Sequence, residues 1–278
     1  MNTHKVQLQY IVIPHPDDEF EAWSLIENAT DNYPVFLLCT HGEATGLGDG
    51  SAFQPQLGEW LPQPQPWAGP NTPTIRAQRL HSWHAFLDAM AERDPQLDKA
   101  PGYVGELAGG PSPLRLWVGP NSARVVFDGG DGKLTPQFVT AAIQRTRELR
   151  FTHFPVQKEY AVIGASYLNS SYAGVPYVHA DHRAVHVALW STDQGVPGPQ
   201  WGRTPATDPD VAATGGRTNW ITPATYQNAM ALDPVTGRRI GVLQAAYGWL
   251  GPAEGWALGE TDATVFFSRQ QSFWRRFG

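Results

Sequence analysis

His15, Asp17, Asp18 and Glu19 fall within the five residues HPDDE, one proline after the apolar run YIVI. A neutral imidazole and a carboxylate held on one tight turn suit Zn²⁺ or another borderline divalent ion. Three adjacent carboxylates repel one another, and a dication would offset that repulsion. A helix N-terminus just behind them would favour the same negative charge. The plainer reading of HPDDE alone is an N-capping cluster after a strand. A second cluster, YVHADHRAV, shifts the balance by carrying His179, Asp181 and His182 to another strand-to-helix junction. A third, THGE, places His41 and Glu43 after the second apolar run.

The elements around these clusters suggest how they meet. Residues 6 to 13 become continuously apolar, as a strand entering a buried sheet does. Residues 19 to 29 carry Phe20, Trp23, Leu25 and Ile26 at helical spacing. YPVFLLCT is a second buried strand, and strand, helix, strand in so short a span predicts a βαβ unit with parallel strands. Ligands bind such sheets beyond the carboxyl ends of the strands, where HPDDE and THGE both lie. Further along, residues 75 to 92 read as helix, LRLWV and ARVVF as strands, and Thr135 with Pro136 as a helix start. EYAVIGASYL reads as strand, DHRAVHVALW as a helix capped by Asp181, and ATVFF as a late strand. Two Pro/Gly/Trp-rich stretches, about 44–74 and 191–222, read as long loop insertions. The expected architecture is one α/β domain over residues 1–278: a Rossmann-like, mostly parallel sheet with flanking helices.

Composition narrows the classes of function. The chain has 278 residues, 41% hydrophobic, with a formal net charge of −6, enough for a sizeable core. No basic block appears, which argues against nucleic-acid binding. The single cysteine, Cys39, excludes a disulfide framework within the chain and fits a reducing, cytoplasmic setting. The N-terminal residues do not read as a signal peptide, and no stretch reaches the ~20 apolar residues of a membrane span. Eleven tryptophans against three methionines mean large flat apolar surfaces. Trp60 and Trp67 sit in the first Pro/Gly-rich stretch, where a wall over an extended substrate is a natural use for them.

HPDDE near the N-terminus, THGE after the second strand and a late HADH together resemble the LmbE-like (PIG-L-type) metal-dependent N-acetylglucosamine deacetylases. The resemblance covers residues 6 to about 190. Three departures accompany it: Pro14 stands where small residues are common, Ala180 where proline is frequent, and Arg79 where a glutamate usually follows the arginine matched by Arg76. Within the family the chain is most similar to the teicoplanin-type deacetylases of glycopeptide-antibiotic biosynthesis. These act on N-acetylglucosamine already attached to a large aromatic peptide, and indole faces suit sugars and aromatic rings.

The resemblance implies Zn²⁺, or another divalent ion such as Fe²⁺, held by His15, Asp18 and His182. It implies Asp17 as general base, His179 as the group that stabilises the tetrahedral intermediate, and Asp181 as the carboxylate orienting His179. Tyr177 matches a tyrosine that assists the oxyanion in some relatives. Glu43, Arg76, Trp60 and Trp67 are candidate substrate contacts, and the partner implied is a small-molecule glycoconjugate. Rival readings remain: His182 and His186 could form a helical metal pair, His81 and His84 have helical spacing, and Glu19 reads as a first-turn helix acid. TGLGDG lacks the glycine spacing and following helix of a dinucleotide loop. Two other functions stay open: an amidase acting on a thiol-sugar conjugate, and a carbohydrate- or aromatic-binding module without catalysis.

Overall fold

The computed structural model describes residues 5–44, 70–166, 171–172, 175–176, 178–204, 215–230, 241–247, 250 and 267–276. Nine strands form one mixed sheet: β1 (Gln7–Ile13), β2 (Asn32–Leu38), β3 (Gly102–Leu107), β4 (Leu114–Val118), β5 (Ala123–Phe127), β6 (Glu159–Gly164), β9 (Gln200–Thr204), β10 (Arg217–Trp220) and β11 (Gln270–Arg275). Their order is β10-β11-β9-β6-β1-β2-β5-β4-β3. The central run β9-β6-β1-β2-β5 is parallel, and both margins are antiparallel. Ser171–Tyr172 (β7) and Val175–Pro176 (β8) form a separate two-stranded ribbon.

Helices cover both faces. Ile11 and Ile13 of β1 pack into a cluster with α1 (Trp23–Glu27), α2 (Pro73–Ala91), α5 (Pro223–Met230) and α6 (Val242–Tyr247). Leu8, Tyr10 and Val12 of the same strand face the opposite cluster, under α3 (Pro136–Glu148) and α4 (Ala180–Ser191). A strand that alternates between two apolar layers must be apolar at nearly every position, which is why β1 and β2 read as continuous runs. Thr72 and Thr135 cap α2 and α3 by accepting from Ile75 N and Phe138 N, and a proline follows each cap. No helix among the described residues is long and apolar enough to cross a membrane.

Three expectations are corrected. The helix expected over 19–29 is a 3₁₀ turn, Asp18–Ala22, followed by the short α1. Its buried Glu21 bonds Arg203 at 3.0 Å, and Gln271 clamps Ser24 N and Phe20 O, so tertiary ties fix the tight turn. The stretch 191–222 is not one loop, since it contributes β9 and β10 to the sheet. Arg203 lies fully buried in β9, paired with Glu21, and a charged residue in so short a run hides the strand. The helix read as starting with an Asp181 cap has His179 as its N-cap, with Nδ1 accepting from Asp181 N at 3.3 Å. ATVFF lies almost wholly outside the described residues.

Candidate metal centre

β1 is flanked by β2 on one side and β6 on the other, all parallel, so the strand order reverses at β1. A crevice opens at the carboxyl ends on either side of such a reversal. Four chain segments converge there: residues 14–19 after β1, 40–44 after β2, 128–134 after β5, and the start of α4.

The HPDDE acids each have their own partner. Asp18 Oδ2 lies 3.2 Å from His15 Nδ1 and 3.2 Å from His182 Nε2. Asp17 Oδ2 lies 3.3 Å from the guanidinium of Arg79. Glu19, read as a first-turn helix acid, is fully buried; its Oε1 accepts from Tyr247 Oη at 2.7 Å and its Oε2 from Asp17 N at 3.0 Å. Asp17 adopts φ 103°, in the left-handed region that favours glycine, and such a residue persists only where its surroundings enforce it. Here the Glu19 carboxylate and Arg79 do so. Arg79 also donates to Pro16 O at 2.5 Å.

His15 is held from behind. Its Nε2 lies 2.9 Å from Asp181 Oδ2 and 3.2 Å from Asp131 Oδ1. Asp181 in turn accepts from Gly132 N at 2.8 Å and Leu134 N at 2.9 Å. The family resemblance pairs this carboxylate with His179. The structure gives its oxygens to His15 and two loop amides, because His179 occupies the cap position and meets Asp181 through the backbone. The His179 ring stands 4.6 Å from His15 and 5.6 Å from His182, between centroids. Its Nε2 is 3.8 Å from Asp131 Oδ1.

Charge follows this geometry. Burial alone would raise the Asp18 carboxyl, but His182 and His15 hold it below the ordinary range. Burial pushes Asp17 up to about 7, against the pull of Arg79 and with the push of Asp18. Burial and then the neighbouring His15 and His182 hold His179 below its usual value.

Two overlapping groups could hold a metal ion, with ligand atoms all within 4.8 Å of one another: His15, Asp18 and His182, and His15, Asp131, His179 and Asp181. Two imidazoles and a carboxylate suit a borderline divalent ion. In the first group the free nitrogen of His15 faces a carboxylate, the usual support behind a ligating imidazole. His186 is committed elsewhere: its Nε2 lies 2.8 Å from Ser166 O, and its Nδ1 accepts from Trp274 Nε1 at 3.3 Å. The rival His182/His186 pair therefore has no second ligand to offer.

Glu43 and Arg76 pair with each other at 2.6 Å, and Arg76 reaches Asp128 at 2.9 Å. Trp60, Trp67 and Tyr177 lie outside the described residues. Two site residues escape a reading of the sequence. Asp131 sits in DGGDGK, where an acid among glycines after a strand is a legible signal. Arg79 stands out in the sequence only as a departure from the family pattern, and nothing there shows its burial.

No family model and no curated protein matches the chain. Among solved structures, the chain is similar to GalB, the 4-carboxy-2-hydroxymuconate hydratase of Pseudomonas putida KT2440, with 12% identity, TM-score 0.44, and coverage of 98% of this chain and 97% of that one. It is also similar to the conserved protein TT1542 of Thermus thermophilus, with 17% identity, TM-score 0.33, and coverage of 71% and 66%. At these scores neither likeness carries functional weight.

Proposed function

We propose that the protein is a metal-dependent amide hydrolase with a Rossmann-like, LmbE-like fold. In this reading it removes the acetyl group from an N-acetylglucosaminyl unit on a glycopeptide-antibiotic precursor. The supporting observation is the convergence of His15, Asp18 and His182 within 4.8 Å, with Asp17 beside them and turned to Arg79. The sequence motifs support the substrate.

His15, Asp18 and His182 would hold the ion, taken here as Zn²⁺. When bound, the ion supplies a Lewis acid and a source of nucleophilic water at neutral pH. Asp17 accepts the proton of the attacking water. Arg79 and the Glu19 carboxylate keep Asp17 in place for that transfer. His179, at the mouth of α4, donates a hydrogen bond from its Nε2–H to the tetrahedral oxyanion, and the proton taken up by Asp17 passes to the departing amine. Asp181 and Asp131 fix the ring of His15. Arg76, partly exposed and held by the buried Glu43, stands at the rim, where sugar hydroxyls can be met.

The test is mass spectrometry of N-acetylglucosaminyl glycopeptides after incubation with Zn²⁺-loaded protein, alongside metal analysis of wild type and His182→Ala. Loss of acetyl by wild type, with metal and activity falling together in the variant, is expected. Intact acetyl on every conjugate would overturn the reaction, and unchanged metal content in His182→Ala would overturn the ligand set.

A further inference from the structure

Beside the metal centre lies a cavity of about 460 Å³. α2 and the loop after β5 serve both places. Arg76 lines the cavity while Arg79, one turn on, enters the metal centre; Asp128 lines the cavity while Asp131 meets His15. Leu80 and Phe127 give the cavity an apolar wall.

Its polar groups are unevenly matched. Arg76 is balanced by Glu43 and Asp128. Arg115, on β4, is not balanced by any carboxylate among the described residues. Glu106 stands opposite it in the β3–β4 register, exposed at the rim, and forms no ion pair with it. The polar contact of Arg115 is to His41 Nε2, at 2.6 Å. A guanidinium only donates, so Nε2 accepts and the ring proton sits on Nδ1. Burial and then the Arg115 charge hold His41 below its ordinary pKa, which keeps the ring neutral. His41 is only 5% exposed, and its Nδ1 has no hydrogen-bond partner among the described residues. Asp128 Oδ1 is 3.7 Å from that nitrogen, beyond hydrogen-bond reach, and Asp128 is held by Arg76. A buried donor without an acceptor is costly. Beside it stands a cation with spare donors, and both line a cavity of ligand size.

We propose that this cavity is a binding site for an anionic oxygen group, a carboxylate or a phosphate, gripped by the guanidinium of Arg115 and the Nδ1–H of His41. It deepens the hydrolase reading and rests on it for the sugar: the substrate would be an N-acetylglucosaminyl compound with an acidic group one sugar's reach from the amide. Arg115 presents a fork that matches either anion.

The test is calorimetric binding to wild type, Arg115→Gln and Arg115→Lys. The probes are N-acetylglucosamine, N-acetylmuramic acid, N-acetylglucosamine 6-phosphate, and the sugar-free anions glutarate and inorganic phosphate. Wild type should bind one of the two acidic sugars at least about tenfold more tightly than the neutral one, the scale of one charged hydrogen bond. Which acid wins separates carboxylate from phosphate. Arg115→Gln should abolish the preference without weakening the neutral sugar, and Arg115→Lys, which keeps the charge should the glutamine variant not fold, should retain part of it. If no anion gains over its neutral counterpart in wild type, or the preference survives Arg115→Gln, the site is overturned. The two readings fail separately. Arg115-dependent binding of glutarate or phosphate without acetyl loss from any conjugate sinks the hydrolase and leaves the site. Acetyl loss from neutral conjugates with no gain for any anion does the reverse.

Discussion

Arg79 reaches past Gly42 to bring its guanidinium within 3.3 Å of Asp17 Oδ2. Gly42 makes that path possible. A Cβ there would lie 2.6 Å from Arg79 Cζ, and its φ of +62° already favours glycine. The contact joins three segments, the turn after β1, the turn after β2 and α2, so it couples Asp17, the proposed base, to the frame.

Two substitutions probe this contact. Arg79→Met should destabilise the fold by up to about 3 kcal/mol, the low end for breaking a buried pair, because Asp17 keeps 18% of its side chain exposed. Gly42→Ala should cost about 1–2 kcal/mol from the left-handed backbone alone. It should also lower turnover by displacing Arg79. Denaturant melts and kcat at a temperature where both variants are folded are the measurements. Wild-type values for both would remove Arg79 from the site.

Asp17→Asn should keep fold and metal content, because asparagine tolerates the left-handed conformation that Asp17 adopts at φ 103°,. Turnover should fall by at least ~10²-fold, the scale of general-base catalysis. Near-normal kcat in a metal-replete variant would move the base elsewhere.

Asp181→Asn tests the support behind His15. An amide can still accept from Leu134 N but no longer offers a carboxylate to His15 Nε2. Zn²⁺ affinity, measured by chelator competition, should drop roughly 10–100-fold. Unchanged affinity would show that Asp181 serves the loop alone.

The acid side of stability has a marker away from the site. His84 Nδ1 accepts from Arg124 at 2.9 Å. Burial first, then the Arg124 charge, push its pKa from 6.5 down to about 3. Between those values the unfolded chain binds a proton that the folded one does not, so this contribution is complete above pH 6.5 and is lost as pH falls toward 3. The slope reaches at most about 1.4 kcal/mol per pH unit for one proton. His84→Gln should flatten the pH dependence of unfolding free energy between pH 6 and 4 relative to wild type (roughly the window the shift defines). Parallel curves would refute the assignment.

Much of the frame was legible in the sequence, for identifiable reasons. β1, β2 and β5 are apolar at both faces, and Thr135–Pro136 announces a helix start by local chemistry alone. His15 and Asp18 read as a metal-type pair on one turn, His182 joins them through the family resemblance, and the structure brings the three together. What stayed hidden depends on partners distant in the chain. Arg203 inside β9 makes sense only once Glu21 is beside it, 182 residues away. Glu19 looks like a surface acid until Tyr247 covers it. The role of Asp181 turns on whether His15 or His179 stands in front of its oxygens, and that is decided by the cap geometry of α4.

The two amides that Asp181 holds, at Gly132 and Leu134, come from a loop 49 and 47 residues earlier in the chain. Their hydrogens can exchange with solvent only when that loop and α4 part. Exchange at these two positions therefore clocks how often the centre comes apart, from the main chain alone and with neither ion nor substrate added. A slow signal there would mean the cradle stands ready-made, and a fast one that it is gathered anew at each binding event.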